Sequence, residues 1–255
     1  MVAVAFPWSL FKEERDGKLF AYRVGSLARA LAVYRVEEVL LFGDGVGSRR
    51  DAERLRILLE YQECPQYLRK LVFGRCRDLR FAGVMPPLRT PHHPKHPPRE
   101  GEVREGFVLR RVRGGVLVEI GGEEPAFCPE DLPRGERVTV RVVSVDPLEV
   151  VPAEPEGYWG YTVDVVDGLE DVISRFGNDI VFTSRYGEDV REVKDWPDVE
   201  CVVFGSSAVG LLDLEPDLKE NFLVVNFVPD QGVEVVRTEE AVHATLAVLN
   251  YLGLI

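Results

Sequence analysis

The sequence predicts an α/β protein built on a parallel sheet, with a small β-barrel inserted into it. Three observations carry this reading. Apolar, β-branched runs such as Glu38–Phe42 and Phe222–Val228 have the texture of strands buried on both faces, and helical patterns separate them. Prolines at 86, 87, 91, 94, 97 and 98 exclude regular structure and mark an extended connection. Beyond it lie short, turn-bounded, Val-rich runs at 107–112, 115–120 and 136–145, the pattern of a small barrel of the OB type. The expected ranges are 1–88 and 155–255 for the two parts of the α/β domain, and 89–154 for the barrel with its linker.

Taken in order, residues 2–6 form a first strand ended by Pro7. Ser26 is the expected N-cap of a helix through about Tyr34, with Leu27, Ala30, Leu31 and Tyr34 on one face. The run 38–42 gives a second strand, so the chain opens as a βαβ unit. Gly43-Asp-Gly-Val-Gly47 lacks both the full G-x-G-x-x-G spacing and the Lys-Ser/Thr ending of a phosphate loop, and reads as a surface loop. Asp51 caps a helix over 52–61, and Pro65 suits the first turn of another. After the barrel, strands are expected at 162–166, 179–182, 200–204 and 222–226, with helices at 169–176 and 207–212. Pro229, Asp230, Gln231 and Gly232 make a tight loop. Thr238 is the expected N-cap of the last helix, with Glu239 and Glu240 in its first turn and Ala241, Val242, Leu246, Leu249 and Leu252 on its buried stripe.

The net charge of −12 argues against nucleic acid until its distribution is read. Residues 65–113 carry 12 Lys/Arg against 4 Asp/Glu, whereas residues 114–255 carry 9 against 29. A basic segment of this kind can hold an anionic ligand, because local field governs contact. No long uncharged apolar run and no signal-peptide layout is present, which predicts a cytoplasmic protein with no membrane partner. The four cysteines are scattered without a Cys-x-x-Cys pair, so neither a disulfide framework nor a thiolate zinc site is expected.

Few motifs carry chemistry alone. His92, His93 and His96 fall within five residues, yet no Asp, Glu or Cys completes a metal shell nearby, so no metal is assigned. With Arg89, Lys95 and Arg99 alongside, a phosphate-contacting strip is the more economical functional reading. No Ser-His-Asp or Cys-His arrangement and no nucleophile elbow is present. Three loops, at 182–184, 204–207 and 228–232, each follow an expected strand. In open α/β sheets ligands sit beyond the carboxyl ends of strands, so these loops can converge on one pocket.

Several runs of unusual composition carry a resemblance. They are Ser26-Leu-Ala-Arg29-Ala, residues 36–42, Tyr61-Gln-Glu-Cys-Pro-Gln-Tyr-Leu-Arg-Lys70, Leu79-Arg-Phe-Ala-Gly83, Pro91-His-His-Pro94, Tyr158-Trp-Gly-Tyr161, Phe204-Gly205 and the stretch from Asn226 to Val242. Together they resemble the SPOUT methyltransferases, in the archaeal and eukaryotic branch whose knotted domain carries an OB-like insertion. The resemblance covers most of the chain. It implies an S-adenosylmethionine-dependent RNA methyltransferase acting on ribosomal or transfer RNA. It also implies a homodimer whose C-terminal segment threads a trefoil knot. The cofactor would be held by Thr183, Ser184, Gly205, Ser206, Asn226, Val228, Pro229, Gln231, Gly232 and Thr238. Arg29, where related enzymes carry an arginine, would orient or activate the acceptor. The insert and the basic region, through Arg69, Lys70, Arg89, His92, His93, Lys95 and Arg99, would hold the RNA. Two other readings use the same fold: a non-catalytic RNA-binding or assembly factor, and a methyltransferase whose acceptor is a protein.

Overall fold

The computed structural model describes residues 2–155 and 157–255. The chain divides into two compact units. One comprises residues 1–62, 78–87 and 161–255; the other comprises 63–77 and 88–160. Residues 63–77, expected within the α/β domain, belong to the second unit.

The first unit holds strands β1 (Ala3–Pro7) and β2 (Glu38–Phe42), with helix α1 (Gly17–Val33) between them, and most of helix α2 (Arg49–Glu63). The second unit contains helix α3 (Arg69–Phe73) and strands β3 (Val103–Val112), β4 (Gly115–Glu119), β5 (Ala126–Cys128), β6 (Arg137–Val145) and β7 (Leu148–Pro152). The chain then returns to the first unit with β8 (Thr162–Val166), α4 (Leu169–Phe176), β9 (Ile180–Asp189) and β10 (Cys201–Val203). It ends with α5 (Leu211–Leu214), α6 (Leu218–Asn221), β11 (Leu223–Asn226) and α7 (Thr238–Leu252).

Six strands form one wholly parallel sheet in the order β11-β9-β10-β1-β2-β8. The first strand is therefore internal: Ala3 pairs with Glu38 on one side and Cys201 on the other. Both faces are buried, as the continuous apolar runs require. Ala5, Leu40, Phe182 and Val203 pack with Val172 of α4, Leu211 of α5 and Leu218 of α6. The alternate residues Val4, Phe6, Leu41 and Val202 are equally buried, and the Phe6 and Phe204 rings stack at 5.4 Å.

Helix α1 begins well before the expected Ser26. Asp16 caps it, its carboxylate accepting from the N–H groups of Lys18 (2.7 Å) and Leu19 (3.1 Å). Gly25 then lies inside the helix, where a Cβ would come 2.9 Å from that of Met85. A small residue was needed for packing, not for a helix start. Thr238 is likewise not a cap: it is the first helical residue of α7, and its hydroxyl donates to the Gly205 carbonyl at 3.4 Å. The cap bond is made instead by Glu240, which accepts from the Arg237 N–H at 3.0 Å. The 43–47 loop is no loose surface segment. Asp44 is buried and accepts from Val46 and Gly47, while a Cβ on Gly43 would meet the Asp167 carbonyl at 2.1 Å. The connection expected over 75–105 is irregular from 75 to 102, as its prolines require, apart from a 3-10 helix over Asp78–Val84, and β3 begins at Val103.

The second unit is a closed five-stranded barrel in the order β3-β4-β5-β7-β6, closed by β3 pairing with β6. Val108, Val116, Val118, Ile120, Val140, Val142 and Val150 fill its interior. A buried ionic cluster lies beside them. Arg137 donates to Glu63 (2.7 Å and 3.3 Å) and to Glu105 (3.0 Å and 3.3 Å). Glu105 also accepts from the Thr139 hydroxyl (2.8 Å) and the Trp159 indole (2.7 Å). Removing one partner of such a cluster strands the others without solvent, typically at about 3–5 kcal/mol. Arg137→Met should therefore destabilise the barrel unit by about 3–5 kcal/mol in urea unfolding, whereas Arg134→Met at an exposed position should change it by under ~0.5 kcal/mol.

Candidate functional site

A cavity of about 330 Å³ opens at the carboxyl ends of β9, β10 and β11. That is the sheet edge where α/β folds bind ligands, and the volume lies within the range of small-molecule sites. Its apolar wall includes Phe204, Leu211, Val225, Phe227, Val236 and Ala241.

Thr183, Ser184, Gly205, Ser206, Asn226, Val228, Gln231 and Thr238 line the cavity. Their side-chain polar groups largely shape the loops. The Thr183 hydroxyl donates to the Val203 carbonyl at 3.0 Å, tying β9 to the end of β10. The Ser206 hydroxyl lies 2.7 Å from that of buried Ser9 and accepts from the N–H groups of Ala208 and Val209, both at 3.2 Å. Asn226 accepts from the Val228 N–H (3.0 Å) and donates to the Arg185 carbonyl (3.2 Å). Gln231 donates to the carbonyls of Val233 (2.8 Å) and Glu234 (3.1 Å), which curls the last loop. Pro229 and Gly232 are in that loop but not in the lining. A Cβ on Gly232 would meet nothing within 4 Å, so packing does not require a glycine there. On Gly205 it would stand 3.4 Å from atoms of Val209 and Leu211, both of which line the cavity.

Sequence reasoning named Thr183 and Ser184 but missed that the segment they open runs on to Gly187. It interrupts the pairing of β9 with β11: Phe182 pairs with Val224, and the next pair is Glu188 with Val225. Gly187 lies against β11, where a Cβ would come 2.6 Å from the Val224 carbonyl oxygen. The signal was Gly187 following Tyr186 in a run otherwise fit for a strand. Arg185 and Tyr186 stand at the cavity mouth.

Arg29 is outside the lining; its guanidinium donates to the Pro87 carbonyl at 2.7 Å. Glu239 is engaged bidentately by Arg23 of α1 at 2.9 Å and 3.0 Å, an ion pair that joins α1 to α7 just behind Thr238.

The basic residues assigned to RNA belong to the barrel unit and divide by burial. Lys70, Arg89, Lys95 and Arg99 are exposed. Arg69 is half-buried and donates to the Cys64 carbonyl at 3.0 Å. The histidines correct the expectation. His92 is fully buried, with Nε2 3.0 Å from the Glu63 carboxylate and 2.9 Å from its carbonyl oxygen. His93 is half-buried against the same carbonyl. The unit's own core has taken these side chains, so His92 has no surface to offer a phosphate. Among the described residues no group of His, Cys, Asp and Glu could hold a metal ion. None of their helices is long and apolar enough to cross a membrane. The four cysteines are free, and burial pushes the Cys64 thiol up to about 12.

The comparisons with known proteins decide the family. A family model described as "Putative RNA methyltransferase" matches residues 1–249. The chain belongs to this family. It is a SPOUT-class RNA methyltransferase, as the sequence motifs implied. Similar proteins include the 28S rRNA (uridine-N(3))-methyltransferase of Homo sapiens, 34% identical over 98% of this chain and 77% of that one. An uncharacterized protein of Haloarcula marismortui is 35% identical over 97% of this chain and 98% of its own. The Mus musculus 28S rRNA (uridine-N(3))-methyltransferase is 32% identical over 98% and 76%.

Burial pushes His93 down to about 4, from an ordinary value of 6.5, and the neighbouring His92 adds to the effect. The unfolded chain thus binds a proton below pH 6.5 that the folded chain refuses until about pH 4, so stability falls as pH falls through that window. Glu63 acts in the same direction at lower pH. Burial would raise its carboxyl, but bonds from His92 and Arg137 outweigh this and hold it below the usual range. Thermal unfolding of the barrel unit should fall between pH 6.5 and 4, and His93→Gln should flatten that part of the profile.

Proposed function

We propose that this RNA methyltransferase uses S-adenosylmethionine, bound in the cavity beyond β9, β10 and β11, to methylate N3 of a uridine in ribosomal RNA. The observation that carries the reading is the convergence of the 183–186, 204–210 and 226–231 loops on a single cavity. Its apolar wall suits a flat adenine, and the loop backbones along its floor offer N–H and C=O groups for ribose and methionine. S-adenosylmethionine supplies an activated methyl group on sulfonium sulfur; the protein's contribution is alignment and exclusion of water. Transfer breaks the methyl–sulfur bond and forms a methyl–nitrogen bond, and the uridine N3 proton leaves to solvent. The position of the methyl group is taken from the similarity to the human and mouse enzymes, whose names specify it.

The working form is a cytoplasmic homodimer. Exposed apolar side chains on α1 (Leu19, Tyr22, Val33) and α7 (Tyr251, Leu252), helices joined by the Arg23–Glu239 ion pair, are available for the partner subunit to cover. The C-terminal segment is knotted. The close approach of Gly187 to β11 fits a chain drawn tightly through a loop. Thr183, Ser184, Gly205, Ser206, Asn226, Val228, Gln231 and Thr238 hold the cofactor, with Pro229 and Gly232 setting the last loop. Arg29 orients the acceptor. The exposed Lys70, Arg89, Lys95 and Arg99 bind RNA phosphates through the OB-like unit.

Calorimetry should find one S-adenosylmethionine per subunit. Gly205→Val should retain the fold, since its Cβ meets only ordinary contacts, yet weaken binding more than about tenfold by filling the cavity. Undiminished affinity would remove this loop from the site. Arg29→Ala should leave cofactor affinity within about twofold while lowering kcat by at least ~100-fold; equal loss of both would exclude a role in acceptor orientation.

A further inference from the structure

Tyr186 is 61% exposed at the cavity mouth, yet its backbone is fixed on every side. Its N–H donates to the Ser184 hydroxyl at 3.2 Å, and its carbonyl accepts from Lys219 Nζ. The preceding carbonyl, of Arg185, accepts from Asn226 at 3.2 Å, and the following residue, Gly187, is pressed onto the β11 backbone. The Arg185 guanidinium lies 4.7 Å from the Tyr186 ring centroid and donates to the Glu234 carbonyl at 3.2 Å. The fold thus fixes the segment while leaving a large aromatic ring uncovered. Val235, which also lines the cavity, is 55% exposed.

This combination has a chemical meaning at the entrance to a methyl-donor site. A base whose ring nitrogen must reach an enclosed methyl group has to leave its stack, and an enzyme replaces the lost stacking with an aromatic face. A cation on that aromatic also suits the negative RNA backbone. Neither helix capping nor core packing accounts for the exposed ring.

We propose that Tyr186 is the stacking platform that receives the acceptor base, in a single-stranded RNA segment, at the mouth of the donor cavity. The proposal rests on the RNA methylation reading above and adds the residue that engages the acceptor. Arg185 acts through Tyr186, as a positioning residue that holds the ring.

The test uses the full chain and a short single-stranded oligoribonucleotide with one central uridine. Its binding is measured by fluorescence anisotropy with S-adenosylhomocysteine present, alongside methyl-transfer kinetics, S-adenosylmethionine calorimetry and light scattering. Tyr186→Ala should weaken oligonucleotide binding and raise its KM roughly 10–100-fold, the range expected for one lost base–aromatic stack. Affinity for S-adenosylmethionine should stay within about twofold, and the association state should not change. Tyr186→Phe, which keeps the ring, should recover most of the loss. Unchanged oligonucleotide affinity in Tyr186→Ala would overturn the proposal. So would a phenylalanine variant as weak as the alanine one, a parallel loss of cofactor affinity, or a shift in association state that made the ring a subunit contact. Failure of the wild-type chain to bind the oligonucleotide would also overturn it. If the wild-type chain binds but transfers no methyl group, the uridine-methylation reading fails, and the binding comparison still decides the role of Tyr186.

Discussion

The candidate site depends on a contact that leaves no room for a side chain. Gly187 lies so close to β11 that a Cβ would fall 2.6 Å from the Val224 carbonyl oxygen. Backbone-to-backbone packing at that distance is open only to glycine. Residues 183–187 stand out of the pairing between β9 and β11, which resumes at Glu188 beside this contact, and 183–186 form one wall of the cavity. The second wall comes from the loop after β10, fixed by the bond between Ser9 and Ser206. The third comes from the curl that Gln231 imposes after β11. The loops are thus held by side-chain bonds of Thr183, Asn226 and Gln231 to backbone carbonyls and by the Ser9–Ser206 pair.

The barrel unit solves a different problem. Its sequence is rich in arginine, and part of that charge is structural. Arg104 is buried and Arg137 half-buried, and both are bonded, Arg104 donating to the carbonyls of Ile120 (3.1 Å) and His96 (2.8 Å). Glu63 and Glu105 enter the same interior and neutralise Arg137. A buried set of this kind is weak evidence for added stability, since desolvation opposes the attraction. Its physical effect is to make the arrangement intolerant of losing any one member. Within the basic segment 65–113 Arg104 is buried and Arg69 half-buried, while its other Lys and Arg side chains, Lys70, Arg89, Lys95 and Arg99 among them, are exposed and open to contact with an anion.

Much of the architecture was legible in the sequence because it follows from periodicity. The strands at 38–42 and 162–166 and the helix at 169–176 coincide with the structure. The loops that line the cavity could be named because glycine, proline and short polar residues follow apolar runs at the expected strand ends. What could not be read depends on tertiary contact. Asp16 as the true cap of α1 required knowing that Gly25 packs on Met85. The burial of His92 required Glu63, 29 residues away, as its partner. A motif such as Pro91-His-His-Pro94 looks the same in sequence whether it faces solvent or lies inside. Tyr186 escaped notice for a similar reason: an aromatic residue in a strand-like run is ordinarily core.

The placement of β1 has a consequence for the order in which the chain can be assembled. Its partners on the two sides are β2, 35 residues away, and β10, 198 residues away. The barrel strands all lie within residues 103–152 and pair among themselves. During synthesis from the amino terminus, the inserted unit has every strand it needs long before the surrounding sheet does. The opening βαβ segment must meanwhile wait with one hydrogen-bonding edge of its first strand unsatisfied. Non-local parallel pairing of this sort is slow to form and vulnerable while incomplete. Strand β1 consists of Ala, Val, Ala, Phe and Pro, with no charged side chain to discourage another chain from adding to that edge. A strand left open to mispairing in the nascent protein is therefore one that ends up inside the finished sheet, between β2 and β10.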